Sequence, residues 1–489
     1  MLLALTQQML LIPAFLHYWT SDTLAAWLAI YATGNLVLVA DAGLQLRAIN
    51  RFFAFKSCVD CDGRTASFFA GMMHIYILVV VTVGFALVLT FQLFPPATVL
   101  GFQETPTFDA ATLVITLGMV FTLPVNLVSG LYRAYGRYDR AVWTQNVTLV
   151  FGQVAQLVAI ALVGTLVAVA SAFVFAQILS ALFLLAYDAP RQFKFLVRKR
   201  VRRLGGLSWR WSLGQFVRAF PFALANVTEL ALTNAPVLLI SVLVTDRVAV
   251  AQWGLNRVIA SLVRALCIQV ALPLAPELGH DYAIGDKGRL GQLYAHGSVF
   301  VTALACLIVA GLLQFWPDFF VLWTHGGIPY DAPLAVTLLL GSALVAPSLL
   351  ALVFANHSNR GNLLFRTKGV QLIAFLVLSV LLIPRLGPLG AAIAIVASDL
   401  LTQFGILTLV IMRQTLAHPL RHMLTLIAIM VTIMLGGWGL GLAIHAIVPG
   451  AGLLRFLAEC TIWLVVVAIA ASPLLMERVR GRVLAAVPN

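Results

Sequence analysis

Apolar stretches of 16 to about 30 residues follow one another from end to end of the chain, separated by short polar turns. Most of them exceed the roughly 18 residues that a helix needs to approach the thickness of about 30 Å of hydrocarbon. None shows the strict alternation over about ten residues that marks a membrane barrel strand. The pattern predicts about fourteen helices, at 2–17, 23–46, 68–94, 109–131, 142–163, 166–187, 214–243, 248–278, 294–322, 332–356, 367–384, 389–412, 423–447 and 453–475. The first is short and contains Gln7, Gln8 and Pro13, so it reads as a truncated span. It carries no basic leader and no small-residue cleavage site, so no cleavable signal peptide is expected.

The polar turns have a sign. The turns after even-numbered spans, with the C-terminal tail, hold 25 of the 31 lysines and arginines, and the segment 188–213 alone holds eight. Cytoplasmic loops carry this excess in multi-pass proteins. Both termini are therefore expected in the cytoplasm, and the basic segment is expected to lie on anionic lipid headgroups.

Composition adds an exclusion. Of 489 residues, 61% are apolar and 10% charged, with mean hydropathy +0.99. Soluble domains carry roughly 25% charged residues, so a soluble enzyme and a disordered chain are excluded. The net charge of +13 sits in the cytoplasmic turns and does not indicate nucleic acid. Cys58 and Cys61 form one CxxC, and a zinc ribbon needs a second pair. Cys267, Cys306 and Cys460 read as small core residues.

The halves repeat at a fixed offset of 223 positions. Pro124 matches Pro347, Arg137 matches Arg360, and Gly164 matches Gly387. An even number of spans separates the copies, so they share an orientation, as in transporters with parallel repeats. The predicted fold is an all-α polytopic membrane protein with two six-helix lobes related by a pseudo-two-fold axis and two accessory helices. The expected divisions are an N-terminal lobe 1–187, a basic linker 188–213, a C-terminal lobe 214–413, and accessory helices with a basic tail at 414–489.

Ionisable groups inside spans are costly and face a bundle interior or a wet cavity. Arg218, Asn226, Glu229 and Thr233 fall within about 80° of one another on span seven. Arg257 and Arg264 share a face of span eight. Guanidinium binds phosphate oxygens in bidentate fashion, so Arg218, Arg257, Arg264 and Asn226 are candidate substrate ligands in a cationic cavity. Glu229 and Asp399 are candidate ion-coupling carboxylates, with Glu459 a weaker one. Asp41, Arg137 and Arg360 are candidate gate residues, although Asp41 also reads as half of a structural ion pair. No HExxH, GxSxG or phosphate-cradling glycine loop is present. The longest external loop, about 95–108, has Glu104 and no basic residue. An enzyme, a cofactor and a bound metal are therefore not expected.

Three segments carry a resemblance. LVADAGLQLRA at Leu38–Ala48, VAVAQWGLNRVIASLVRALCIQVALPLAPELGHDYAIGDKGRL from Val248, and GPLGAAIAIVASDLL at Gly387–Leu401 resemble the DxGL end of span two, the arginine-bearing span eight and the GxxGAA opening of span twelve in one family. That family is the polysaccharide exporters, or O-antigen repeat-unit flippases, of the multidrug, oligosaccharidyl-lipid and polysaccharide flippase superfamily. The resemblance covers nearly the whole chain. It implies transfer of a polyprenyl-pyrophosphate-linked oligosaccharide from the cytoplasmic to the periplasmic leaflet of a bacterial inner membrane by alternating access. It also implies partners in a polysaccharide polymerase and chain-length machinery. Asn234 stands where relatives often have an acidic residue, which leaves Glu229 as the coupling candidate. The alternatives are a flippase for a lipid-linked peptidoglycan precursor, a non-transporting scaffold, and a polymerase of polysaccharide assembly. A drug/cation antiporter is disfavoured, because three arginines would repel an organic cation.

Overall fold

The computed structural model describes residues 2–55, 63–197, 209–358, 361–449 and 452–475. These residues are helical almost throughout, with no strand among them. The helices are α1 (Leu2–Tyr18), α2 (Ser21–Val37), α3 (Leu44–Phe55), α4 (Arg64–Leu93), α5 (Pro96–Leu100), α6 (Phe108–Ala134), α7 (Tyr138–Leu162), α8 (Leu166–Leu182), α9 (Ala189–Gln192) and α10 (Trp209–Leu243). They continue as α11 (Val248–Ala271), α12 (Leu274–Ile284), α13 (Lys287–Thr324), α14 (Ala332–His357), α15 (Gly361–Leu386), α16 (Pro388–Asp399), α17 (Leu409–Thr415), α18 (Pro419–Ile447) and α19 (Leu453–Ala471). Among the described residues thirteen helical stretches are long and apolar enough to cross a membrane, against the fourteen or so expected. The helix α1, with 17 residues, spans only about 26 Å. The expected polytopic all-α membrane fold is what the chain adopts. Cys58, Cys61, Arg360, the linker residues 198–208 and the tail arginines lie outside the described residues.

Only helices satisfy every backbone hydrogen bond within one segment in hydrocarbon. What they show to lipid is apolar. Along α4, Val81, Phe85 and Leu89 recur every fourth residue and are exposed, Phe85 at 72%. Lipid is as apolar as leucine, so association between spans rests on close packing at small residues. A Cβ added to Gly118 of α6 would stand 2.5 Å from Val174 of α8, and one added to Gly437 of α18 would stand 2.8 Å from Ala310 of α13.

The spans differ from a set of straight rods in three places. Span two stops early. The helix α2 tightens into a 3-10 turn at Leu38–Asp41, and Ala42 and Gly43 take φ of +46° and +72° before α3 starts. Two consecutive left-handed residues cannot continue a right-handed helix. Span eight breaks at Leu272–Pro273, where proline has no N–H to donate, giving α11 and α12. The sixth and twelfth spans each contain a π-helical segment, Phe183–Asp188 and Leu400–Thr408. Such segments concentrate at functional positions in helices.

The chain forms two compact units, Met1–Ala251 and Gln252–Asn489. Landmarks of the repeat occupy equivalent places in each. Pro124 and Pro347 lie inside α6 and α14, and Gly164 and Gly387 turn with positive φ before α8 and α16. The helix α10, which the sequence places at the start of the second lobe, packs on α2 and α3 of the first unit. Its Ala219 is buried in one cluster with Leu44, Ala48 and Phe52 of α3.

Candidate functional site

The first unit is organised around Asp41, which is only 4% exposed. The Tyr76 hydroxyl of α4 donates to its Oδ1 at 2.6 Å, and the Gln45 amide N–H donates to its Oδ2 at 3.3 Å. The second bond satisfies one of the four orphan N–H groups that open α3. The Asn126 side chain of α6 also reaches this carboxylate. Asp41 thus fixes where α3 leaves the membrane span.

The helix α3 is amphipathic. Leu44, Ala48 and Phe52 are buried on one side, while Arg47 and Arg51 lie on another. Arg47 is half-buried, and Arg218 of α10 is exposed. Burial and the neighbouring guanidinium groups of Arg51 and Arg218 push the Arg47 pKa down. Among the described residues none of these three arginines is paired with a carboxylate. Sequence reasoning singled out Arg218 and counted Arg47 and Arg51 only as orientation signals. The i, i+4, i+8 apolar spacing of Leu44, Ala48 and Phe52 was the signal that α3 is a separate helix with a basic face. On α10, Glu229 and Thr233 are exposed with Arg218, and Asn226 is half-buried. Asn234 is buried and returns its amide to the Leu230 carbonyl at 3.0 Å.

A second polar group lies at the end of α8. Asp188 is buried and takes hydrogen bonds from the Tyr132 hydroxyl and from Arg140 Nη2, the latter at 2.7 Å. Arg137 donates to the Gln192 side chain. Arg137 and Arg140 therefore join the start of α7 to the end of the sixth span.

In the second unit the structure brings together two residues that the sequence named separately. Arg264 Nη2 of α11 lies 2.7 Å from Asp399 Oδ2 at the end of α16. Asp399 is 3% exposed, and its Oδ1 accepts from the Gln371 and Gln403 side-chain amides, the latter at 2.8 Å. The Oε1 atoms of both glutamines are buried without a hydrogen-bond partner. Arg257 is half-buried on the same helix as Arg264. Sequence reasoning missed Gln371 and Gln403, although two glutamines within apolar spans were a legible signal. Glu459, buried on α19, is held by Arg455 at 2.8 Å and His445 at 3.1 Å. Arg218, Asn226 and Glu229 thus belong to one unit and Arg257, Arg264 and Asp399 to the other.

No protein-family profile and no curated protein sequence matches the chain. Solved structures do match. The fold is similar to that of lipid II flippase MurJ in an inward closed conformation, with a TM-score of 0.70 and 12% identity over 97% of this chain and 97% of that chain. It is also similar to an inward-facing multidrug resistance MATE family transporter of the MOP superfamily, with a TM-score of 0.64 and 14% identity over 88% of this chain and 95% of that one. An outward-facing MATE structure matches with a TM-score of 0.55 and 17% identity. At these identities the likeness is one of fold, and it extends from the first helices to the last.

Proposed function

We propose that this chain is a flippase that carries a polyprenyl-diphosphate-linked oligosaccharide from the cytoplasmic to the periplasmic leaflet of a bacterial inner membrane. The observation that carries this reading is the cluster of Arg47, Arg51 and Arg218, three like charges without a carboxylate partner among the described residues, two of them half-buried. Like charges held together cost stability unless an anion joins them. A diphosphate supplies that anion, and its oxygens match the guanidinium donor fork. A fold shared with a lipid flippase and with transporters supports movement of the cargo rather than its chemical conversion.

A second reading, a flippase for a lipid-linked peptidoglycan precursor, is favoured by the likeness to lipid II flippase MurJ over 97% of both chains. Both cargoes present a prenyl diphosphate to the arginines and differ in their sugars.

The test is depletion of the protein from cells, with lipid-linked glycans extracted, weighed by mass spectrometry and assayed for sidedness with a membrane-impermeant probe. Units trapped on the cytoplasmic face are the expected result, and their mass separates the two readings. Units that reach the outer face at the normal rate but stay unpolymerised would replace both with a scaffold or a polymerase.

A further inference from the structure

The first unit contains a cleft of about 380 Å³ between α3, α6, α7 and α8. Its lining includes Gln45 from α3, Ser129 from α6, Gln145 from α7 and Gln177 from α8. Among the described residues, none of these four side chains makes a hydrogen bond within the protein. Each primary amide offers two donors and a carbonyl acceptor, and the serine offers a donor and two acceptor sites. Polar side chains in membrane spans face one another or a wet cavity. Gln45, Ser129 and Gln177 are half-buried and Gln145 is exposed, so the four line a wet cleft with donors and acceptors that a ligand rich in both can take over from water.

The charge of the lining narrows the class. No carboxylate is among the lining residues, which removes the ligand set that a metal cation needs. The one charged residue is Arg133, which donates to the Tyr138 hydroxyl at 2.7 Å and lies 4.4 Å from its ring centroid. The amides and hydroxyls therefore dominate recognition. The volume equals about a dozen waters at roughly 30 Å³ each, enough for a hexose ring and its linkage.

The repeat shows that this position has diverged. At the offset of 223, Thr148 and Ser180 of the cleft correspond to Gln371 and Gln403. In the second unit the side-chain N–H groups of those glutamines hold the Asp399 carboxylate that pairs with Arg264. In the first unit Thr148 Oγ1 donates to Ser180 Oγ at 2.5 Å, and no carboxylate is among the residues that line the cleft with them.

We propose that this cleft binds a neutral glycosyl group, one sugar residue of the transported cargo. The identity of the sugar's carrier rests on the function proposed above, whereas the binding of sugar does not. The test uses the full chain in nanodiscs free of glycosidic detergent, with Ser129→Cys introduced and the reactivity of the unsubstituted protein subtracted. Labelling by a membrane-impermeant maleimide is followed in the presence of methyl glucoside, galactoside, mannoside or N-acetylglucosaminide, with glycerol as a non-ring control. At least one glycoside is expected to slow labelling where glycerol does not. Adding Gln145→Leu or Gln177→Leu is expected to raise the protecting concentration about tenfold, the equivalent of one or two lost hydrogen bonds. Gln145→Asn, which keeps the amide, controls for folding and is expected to retain part of the protection. A thiol that does not react, equal protection by glycerol, absence of protection by every glycoside, or protection untouched by the leucine variants would each overturn the proposal. A synthetic prenyl diphosphate bearing one hexose forms the second arm. Protection at a lower concentration than by the free glycoside assigns the sugar to a lipid-linked cargo. Protection by free glycosides alone keeps the sugar site and removes the lipid-linked reading.

Discussion

Arg264 and Asp399 are 2.7 Å apart, and the carboxylate of this pair is almost wholly buried while about a third of the arginine side chain is exposed. The pair belongs to α11 and α16, and Gln371 of α15 joins it. Three helices of the second unit therefore meet at one negative charge. Removing one partner leaves the other charge uncompensated, which is more damaging than removing both.

Arg264→Ala is therefore expected to destabilise the second unit by about 3 kcal/mol, at the lower end of the range for broken buried pairs. The double variant Arg264→Gln with Asp399→Asn is expected to recover most of that loss. Thermal unfolding of the purified protein, read as Tm, checks the order. A double variant less stable than Arg264→Ala would show that Asp399 is held chiefly by its glutamines.

Arg218→Ala and Arg47→Ala are expected to behave differently from that pair. Each removes a charge from a mutually repelling cluster, so Tm is expected to stay constant or rise. Binding of a prenyl diphosphate is expected to weaken about tenfold per arginine, the scale of one lost charge-assisted hydrogen bond. Isothermal titration in nanodiscs measures it. Unchanged affinity in the double variant would remove the diphosphate from this cluster.

Asp41→Ala is expected to cost about 2 kcal/mol, combining a lost cap of α3 with a Tyr76 hydroxyl left unpartnered. Tyr76→Phe in the same chain is expected to add less than it does alone, because the two residues share one bond. A double-mutant cycle on Tm gives the coupling, and strict additivity would contradict the shared bond.

Gly118→Ala is expected to destabilise by about 1–3 kcal/mol through overpacking against Val174. Val174→Ala is expected to restore stability in that background. The measurement is Tm of the four proteins, and a glycine variant as stable as wild type would mean that α6 and α8 separate freely.

The polytopic all-helical character was legible, and the number of spans nearly so, because apolar length and charged turns are local properties of the chain. The breaks were less so. LVADAGLQLRAI reads as one apolar run, and only the Asp-Ala-Gly step, a capping residue followed by two small ones, hints that a new helix begins. The pairing of Arg264 with Asp399 was out of reach, because the two lie 135 positions apart and no local rule joins them. The placement of α10 in the first unit was hidden for a similar reason. Its polar stripe was readable, but the opposite side that buries Ala219 is apolar like every other span.

The bond from Tyr76 to Asp41 has a mechanical consequence. The helix α4 has 30 residues, about 45 Å of length, and much of its far half faces lipid. A helix longer than the hydrocarbon layer meets a thinner bilayer by tilting. Tyr76 is buried and linked to the cap of α3, so tilt of α4 acts on the helix that carries Arg47 and Arg51. A thinner bilayer that tilted α4 would therefore pull, through one hydroxyl, on the helix that carries two guanidinium groups.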